Sequence, residues 1–274
     1  MKIGPIDTVT ILTHDLSKSV AMYISAFGWQ EKGSEYLLRA EAASRWQATN
    51  LIGARVLEVS GINGGVRFIE STEHQKPQPL RTFGWSSLEI CVDDVHKYVA
   101  QAVTAGFEVL NEAVPLSGTA KPLPLIAAQL AGINGEVIYI TQILSEVPNF
   151  ELPDVSKESG SIFICVLGAS DLEKSREVLE SQFEVRRASD REVAIKVINR
   201  VYEKPLDSLH RLSSLQLAGR NAIEIDQLPI EGGQREVAPN DLAAGISIVT
   251  VRGEVSEPTM FTLPDNALLE VLPY

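Results

Sequence analysis

An α+β fold made of four copies of one strand–helix–strands unit is what this sequence predicts, and three observations predict it. The turn Gly61-Ile62-Asn63-Gly64 returns as Gly132-Ile133-Asn134-Gly135. It recurs more loosely at Gly219-Arg220-Asn221-Ala222, and as an echo at Asp265-Asn266-Ala267. Asn-Gly between apolar runs marks a tight turn, because those residues tolerate positive φ. A β-branched or apolar run followed by a capping aspartate opens the first three units, at Asp15, Asp94 and Asp171. Recurrence of this kind means one small unit reused. The four units are expected to pair into two halves, the last unit being degenerate.

In the first unit, Ile6 to His14 reads as a strand rich in β-branched residues. Asp15 then caps a helix with Val20, Tyr23, Ile24 and Phe27 on one face, and Gly28 ends it. A second helix is expected over about Glu35 to Thr49, then strands at Ala54–Ser60 and Val66–Ser71 around the turn. The second unit opens at Ser86–Val92. Its helix carries Val95, Tyr98, Val99, Ala102 and Val103 and stops at Gly106. Strands follow at Phe107–Ala113, Leu125–Leu130 and Glu136–Ile143. The polar, Pro-bearing stretch Glu146–Gly160 reads as a linker, so the domains are expected at 1–148 and 160–274.

The third unit repeats the first: a strand at Ile162–Leu167, a helix with Leu172, Val178 and Leu179, a helix near Asp190–Tyr202, and a hairpin of Arg211–Leu217 with Ala222–Gln227. In the fourth, the strand Ile246–Val251 is followed by Gly253–Pro258 in place of a helix. Strands Met260–Leu263 and Ala267–Leu272 close the chain.

The 274 residues carry a formal net charge of -12 and a sequence pI near 4.9. No basic cluster breaks that acidity, which argues against nucleic acid and anionic membranes as partners. The two cysteines, Cys91 and Cys165, lie in apolar runs, which suits reduced core thiols. No run approaches membrane-spanning length and the N-terminus has no export pattern, so a cytoplasmic protein is expected, with a homodimer left open. Walker, nucleophile-elbow and dinucleotide motifs are absent.

The opening Thr8-Val-Thr-Ile-Leu-Thr-His-Asp15-Leu16-Ser17, with Tyr23 and Phe27-Gly28-Trp29, resembles the vicinal oxygen chelate superfamily of glyoxalase, bleomycin-resistance and extradiol dioxygenase proteins. The module-two start and the recurring turn extend the resemblance over essentially the whole chain. It implies glyoxalase-like halves with curved mixed sheets around cavities. It also places metal ligands at Thr8, Phe68, Ser87 and Tyr139 in the first half, and at about Ile164, Glu224, Ile246 or Ser247, and Glu270 in the second. Hydroxyl, phenol and hydrocarbon do not suit a divalent ion, and His14, His74, His96 and His210 fit no ligand spacing. No cofactor is therefore expected.

Strand alternation directs Thr10 and Glu89 inward with Thr8 and Ser87. Glu89 sits among Leu88, Ile90 and Cys91; a carboxyl in apolar surroundings has raised proton affinity and suits acid/base work. It is the expected catalytic residue, in a pocket of the first half. Thr8, Thr10, Arg39, Trp46, Arg55, Phe68, Ser87 and Tyr139 are expected to bind the substrate. The expected activity is a metal-free lyase or isomerase acting on a small apolar or aromatic oxygenated compound. One alternative is a non-catalytic sequestering protein. The other is a metal enzyme with Glu224 and Glu270 as ligands.

Overall fold

The computed structural model describes residues 1–71, 78, 80–116 and 122–274; His74 lies outside them. Module one comprises β1 (Ile3–Thr13), α1 (Leu16–Phe27), β2 (Gln30–Glu31), β3 (Tyr36–Leu37), α2 (Ala40–Arg45), β4 (Arg55–Ser60) and β5 (Gly65–Glu70). Module two has β6 (Gly84–Val92), α3 (Val95–Ala105), β7 (Glu108–Pro115), β8 (Leu125–Ala131) and β9 (Val137–Ile143). A short α4 (Val155–Glu158) leads into module three: β10 (Ser161–Ala169), α5 (Leu172–Gln182), β11 (Arg186–Ala194), α6 (Lys196–Val201), β12 (Leu209–Gln216) and β13 (Ala222–Gln227). Module four is β14 (Ile246–Gly253), β15 (Thr259–Thr262) and β16 (Leu268–Pro273).

The three long helices start where the aspartates predict. The Asp15, Asp94 and Asp171 side chains accept from the backbone N–H three residues on, at 3.0, 3.1 and 3.1 Å. Each bond satisfies an otherwise orphaned helix-start donor. Asp15→Ala is expected to cost about 1 kcal/mol of stability, read as a lowered urea midpoint at unchanged slope; no shift would mean that the cap is dispensable.

The strands form two curved mixed sheets of eight. One runs β15-β16-β14-β1-β5-β4-β2 with β3 also on β4, and the other runs β11-β12-β13-β10-β6-β9-β8-β7. Modules therefore pair as expected, but the partners differ from the expectation. Module one joins module four, through β1 antiparallel to β14. Module two joins module three, through β6 antiparallel to β10. Each sheet thus takes one module from either side of the 148/160 division. Modules one and two meet instead through α1 packed on α3, and through the Tyr23 hydroxyl, which donates to buried Glu136 at 3.3 Å. A repeat identifies the unit, but every module's first strand offers the same open edge, and only packing chooses its partner.

Two helix expectations shorten. Of Glu35–Thr49 only Ala40–Arg45 is α-helical. Of Asp190–Tyr202 only Lys196–Val201 is, because Arg186–Ala194 is strand β11 along the sheet edge against β12. Its Arg- and Glu-rich composition suits a helix in isolation, and pairing overrides that preference. Charged side chains on an outer strand also hinder pairing with a further sheet. The 146–160 segment is tied down: Phe150, Leu152 and Val155 pack on Phe163, Ile164 and Val166. Among the described residues no helix is long and apolar enough to cross a membrane.

Candidate functional site

In each module the first and last strands lie side by side and parallel, so their inward side chains meet at a corner. The corners pair Thr10 with Arg67, Glu89 with Tyr139, Val166 with Glu224, and Thr250 with Glu270. Each sheet brings two corners together over its concave face, and the two faces differ in charge balance.

On the face of modules one and four, Glu270 is fully buried. It accepts from Arg45 Nε at 2.9 Å, Trp46 Nε1 at 2.8 Å and Thr250 Oγ1 at 3.0 Å. Arg67 lies 3.8 Å from Glu270, donates to Glu58 at 3.1 Å and to Thr10 at 3.2 Å, and covers the Trp46 ring at 5.1 Å. Two guanidiniums thus answer two carboxylates. Trp46, packed with Leu12, Leu51, Val56 and Ile248, fills the remaining space. This corner pair is closed.

The face of modules two and three holds a cavity of about 180 Å³. Glu89, Glu224 and Asp226 line it with Tyr139, Gln129, one guanidinium, Arg191, and one ammonium, that of the exposed Lys196; Leu125, Ala127, Phe150, Leu152, Phe163 and Leu212 make the apolar walls. Glu89 accepts from Thr141 Oγ1 at 3.1 Å, and Glu224 from Ser214 Oγ at 3.1 Å. Arg191 reaches only to 4.0 Å from Glu224. Asp226 Oδ1, Gln129 Oε1 and Arg191 Nε are buried without hydrogen-bond partners. Such atoms in a lined cavity are costly unless something binds there.

Burial is the main cause that pushes the Glu89 carboxyl up to about 8; the Glu224 charge adds to it, and Thr141 and Arg191 oppose it. Burial likewise raises Glu224. Asp226 is lifted well above the usual carboxyl range by burial and then by Glu224 and Glu89. Burial, with these three neighbours, raises the Tyr139 hydroxyl. Glu89, with a value near 8, is held partly protonated near neutrality and can give or take a proton.

Of the residues expected at the site, Glu89 and Tyr139 meet in this cavity. Ser87 lies two residues from Glu89 on β6, with its buried hydroxyl unpartnered. The others belong to the opposite sheet, which corrects the expected pocket within the first half. Thr8 donates to Asp7 at 2.8 Å, and Thr10 and Trp46 belong to the closed corner pair. Arg39 is exposed ahead of α2, and Arg55 is exposed in ion pairs with Glu35 and Glu70.

Phe68 packs outward against Tyr23, with ring centroids 5.1 Å apart. The cause is the turn. Gly61 N–H closes on Gly64 O around two residues, whereas Gly132 N–H closes on Glu136 O around three. That one-residue difference reverses which side chains face the cavity, so Arg67, not Phe68, is the counterpart of Tyr139.

The residues do not fit the family's metal. His210 bonds Asn199 through Nε2 at 2.7 Å, away from the cavity, and His14 and His96 are exposed. Among the described residues no three of His, Cys, Asp and Glu stand close enough to hold one ion. Glu224 and Glu270, expected to share one, lie on different sheets. Glu58 and Gln129 do occupy equivalent places, opposite Arg67 and Tyr139. Ser214, opposite Glu224, holds the same place in module three. Sequence reading missed Arg191, which lay in an expected helix. It also missed Asp226, although Glu224-Ile225-Asp226 alternation puts both acids on one face.

No protein-family model matches the chain, and no curated protein sequence does. Solved structures do. Glyoxalase I from Zea mays matches with a TM-score of 0.59 at 13% identity, over 98% of this chain and 92% of that one. A Bacillus subtilis protein provisionally assigned as a dioxygenase matches with a TM-score of 0.62 at 12% identity, over 99% and 86%.

Proposed function

We propose, for a chain that has the vicinal oxygen chelate fold, that the cavity between modules two and three is an acid/base active site without a metal. Its substrate is a small oxygenated compound with an apolar body, and its reaction is an isomerisation or elimination. The observation that supports this reading is Glu89: a buried carboxyl that accepts, among the described residues, from Thr141, in a cavity where apolar walls surround a cluster of three acids.

In its ionised form Glu89 takes a proton from a carbon next to a carbonyl. The electron pair of that C–H bond moves to the carbonyl oxygen, where Arg191 and the Tyr139 hydroxyl are the available donors. Glu89, now protonated, returns the proton to a neighbouring carbon in an isomerase. In a lyase the electron pair instead expels a group from the adjacent carbon. Apolar walls and a volume near that of a benzene-sized cavity, roughly 150 Å³, favour a compact substrate. The two buried, unpaired cysteines suit a reducing, cytoplasmic setting.

The test is solvent-deuterium exchange into a panel of small enolisable ketones and aldehydes, followed by NMR on chelator-treated protein. Exchange is expected to persist after chelation. Because a base works only when ionised, the rate should rise with pH and level off above about 8, where Glu89 is ionised. A compound that binds tightly and never exchanges would favour the second reading, a sequestering protein, which the apolar walls also suit. Exchange that disappears on chelation and returns with zinc or iron would sink the metal-free mechanism.

A further inference from the structure

We infer that the compound bound in this cavity carries a protonated amine, seated on Asp226 and Glu224 with the Gln129 carbonyl as a third acceptor. This rests on the reading that the cavity is a ligand site, and it adds the ligand's charge. The closed corner pair of the opposite sheet supplies the comparison. There, two guanidiniums and two carboxylates balance and every Glu270 contact is made. Here, three buried carboxyls face one guanidinium, which stands 4.0 Å from the nearest of them, and the exposed Lys196, so the acids still outnumber the cations.

Among the described residues, two of the three unpaired atoms on the cavity's acids, amide and guanidinium point the same way, the third being the donor Arg191 Nε. Asp226 Oδ1 and Gln129 Oε1 are acceptors without donors, both on side chains more than nine-tenths buried and lining the cavity. A ligand that completes them must therefore donate at least two hydrogen bonds. An ammonium offers three, with the charge that buried carboxylates need. A carboxylate or phosphate would meet three acids with Arg191 and the exposed Lys196 to hold it, and a hydrocarbon would leave both acceptors unpaired. The apolar walls and the 180 Å³ volume select an amine on a compact aryl or alkyl body.

The charge state sharpens the test. In the empty cavity burial favours the protonated acids, as it does for Asp226 and Glu224. An entering ammonium stabilises the ionised forms of these acids and of Glu89, which burial lifts to about 8, so binding near neutral pH is expected to release a proton.

The experiment is isothermal titration of the intact protein at pH 7.5 with benzylamine, benzyl alcohol and benzoate, in two buffers of different ionisation enthalpy. Benzylamine is expected to bind at least about tenfold more tightly than benzyl alcohol, with proton release, and benzoate weakest. Asp226→Asn should remove most of the benzylamine preference, weakening benzylamine well beyond benzyl alcohol. Benzyl alcohol or benzoate binding as tightly as benzylamine, or no binding of any of the three, would overturn the inference. The wild-type ranking decides even if the variant fails to fold. Failure here together with Glu89-dependent deuterium exchange on neutral carbonyl compounds leaves the acid/base reading standing. Benzylamine binding with no exchange on any compound sinks that reading alone.

Discussion

Glu89→Gln is expected to slow deuterium exchange by a factor of about 10²–10⁴, the usual contribution of a positioned general base, while binding of the same compound changes by no more than a few-fold. Glutamine keeps the shape of the side chain and an oxygen to accept the Thr141 hydroxyl, but it cannot take a proton. A drop in turnover at nearly constant affinity is the signature of a group that acts in the transition state. The pH dependence supplies an independent check. Glu224→Gln removes the negative neighbour that helps raise Glu89, so the rise in rate should move to lower pH. A Glu89→Gln enzyme that retains its rate and its pH profile would exclude Glu89 as the base and return the cavity to a binding role.

Arg67→Met should cost about 3–5 kcal/mol of stability, toward the low end, as expected when one member of a buried charge cluster is removed. The Arg67 side chain is about one-tenth exposed, and its loss leaves Glu270 with Arg45 and Glu58 with only Lys32, 4.0 Å away, as a cation. The cation stacked on Trp46 and the bond to Thr10 go with it. Glu58 retains some solvent contact and can shed part of the penalty. Replacing Glu58 by leucine in the same protein should recover part of the loss, since removing both partners restores the balance. Urea unfolding measures the loss. Exchange and amine binding in the opposite sheet should stay near wild type, because none of these residues lines that cavity. A cost below about 1 kcal/mol would mean that the cluster is solvated and does not close this face.

Glu89 was legible from a single strand. A carboxyl at an inward position among apolar residues needs only alternation to be noticed, and β6 pairs with β9 in unbroken register from Ser87 to Val92. Tyr139 was legible because the module-two turn has the length that the repeat suggested. Phe68 was read by the same rule and failed, because the first turn is one residue shorter and a strand has a period of two. Arg191 needed the sheet to be assembled, because it lies on an edge strand that looked helical, whereas Asp226 was within reach of alternation from Glu224.

The chain by itself determined four related units, their aspartate caps, their turns and the likeness of the whole to a known fold, since propensity, capping and alternation act within a few residues of each other. Tertiary structure alone decided that module one meets module four and module two meets module three, because the open edges of similar strands are chemically alike until side chains are packed between them. That choice also decided which acids share a cavity. It set Glu270 among two arginines and a tryptophan, and it left Glu89, Glu224 and Asp226 around one arginine, where a long-range charge balance separates a closed face from an open one.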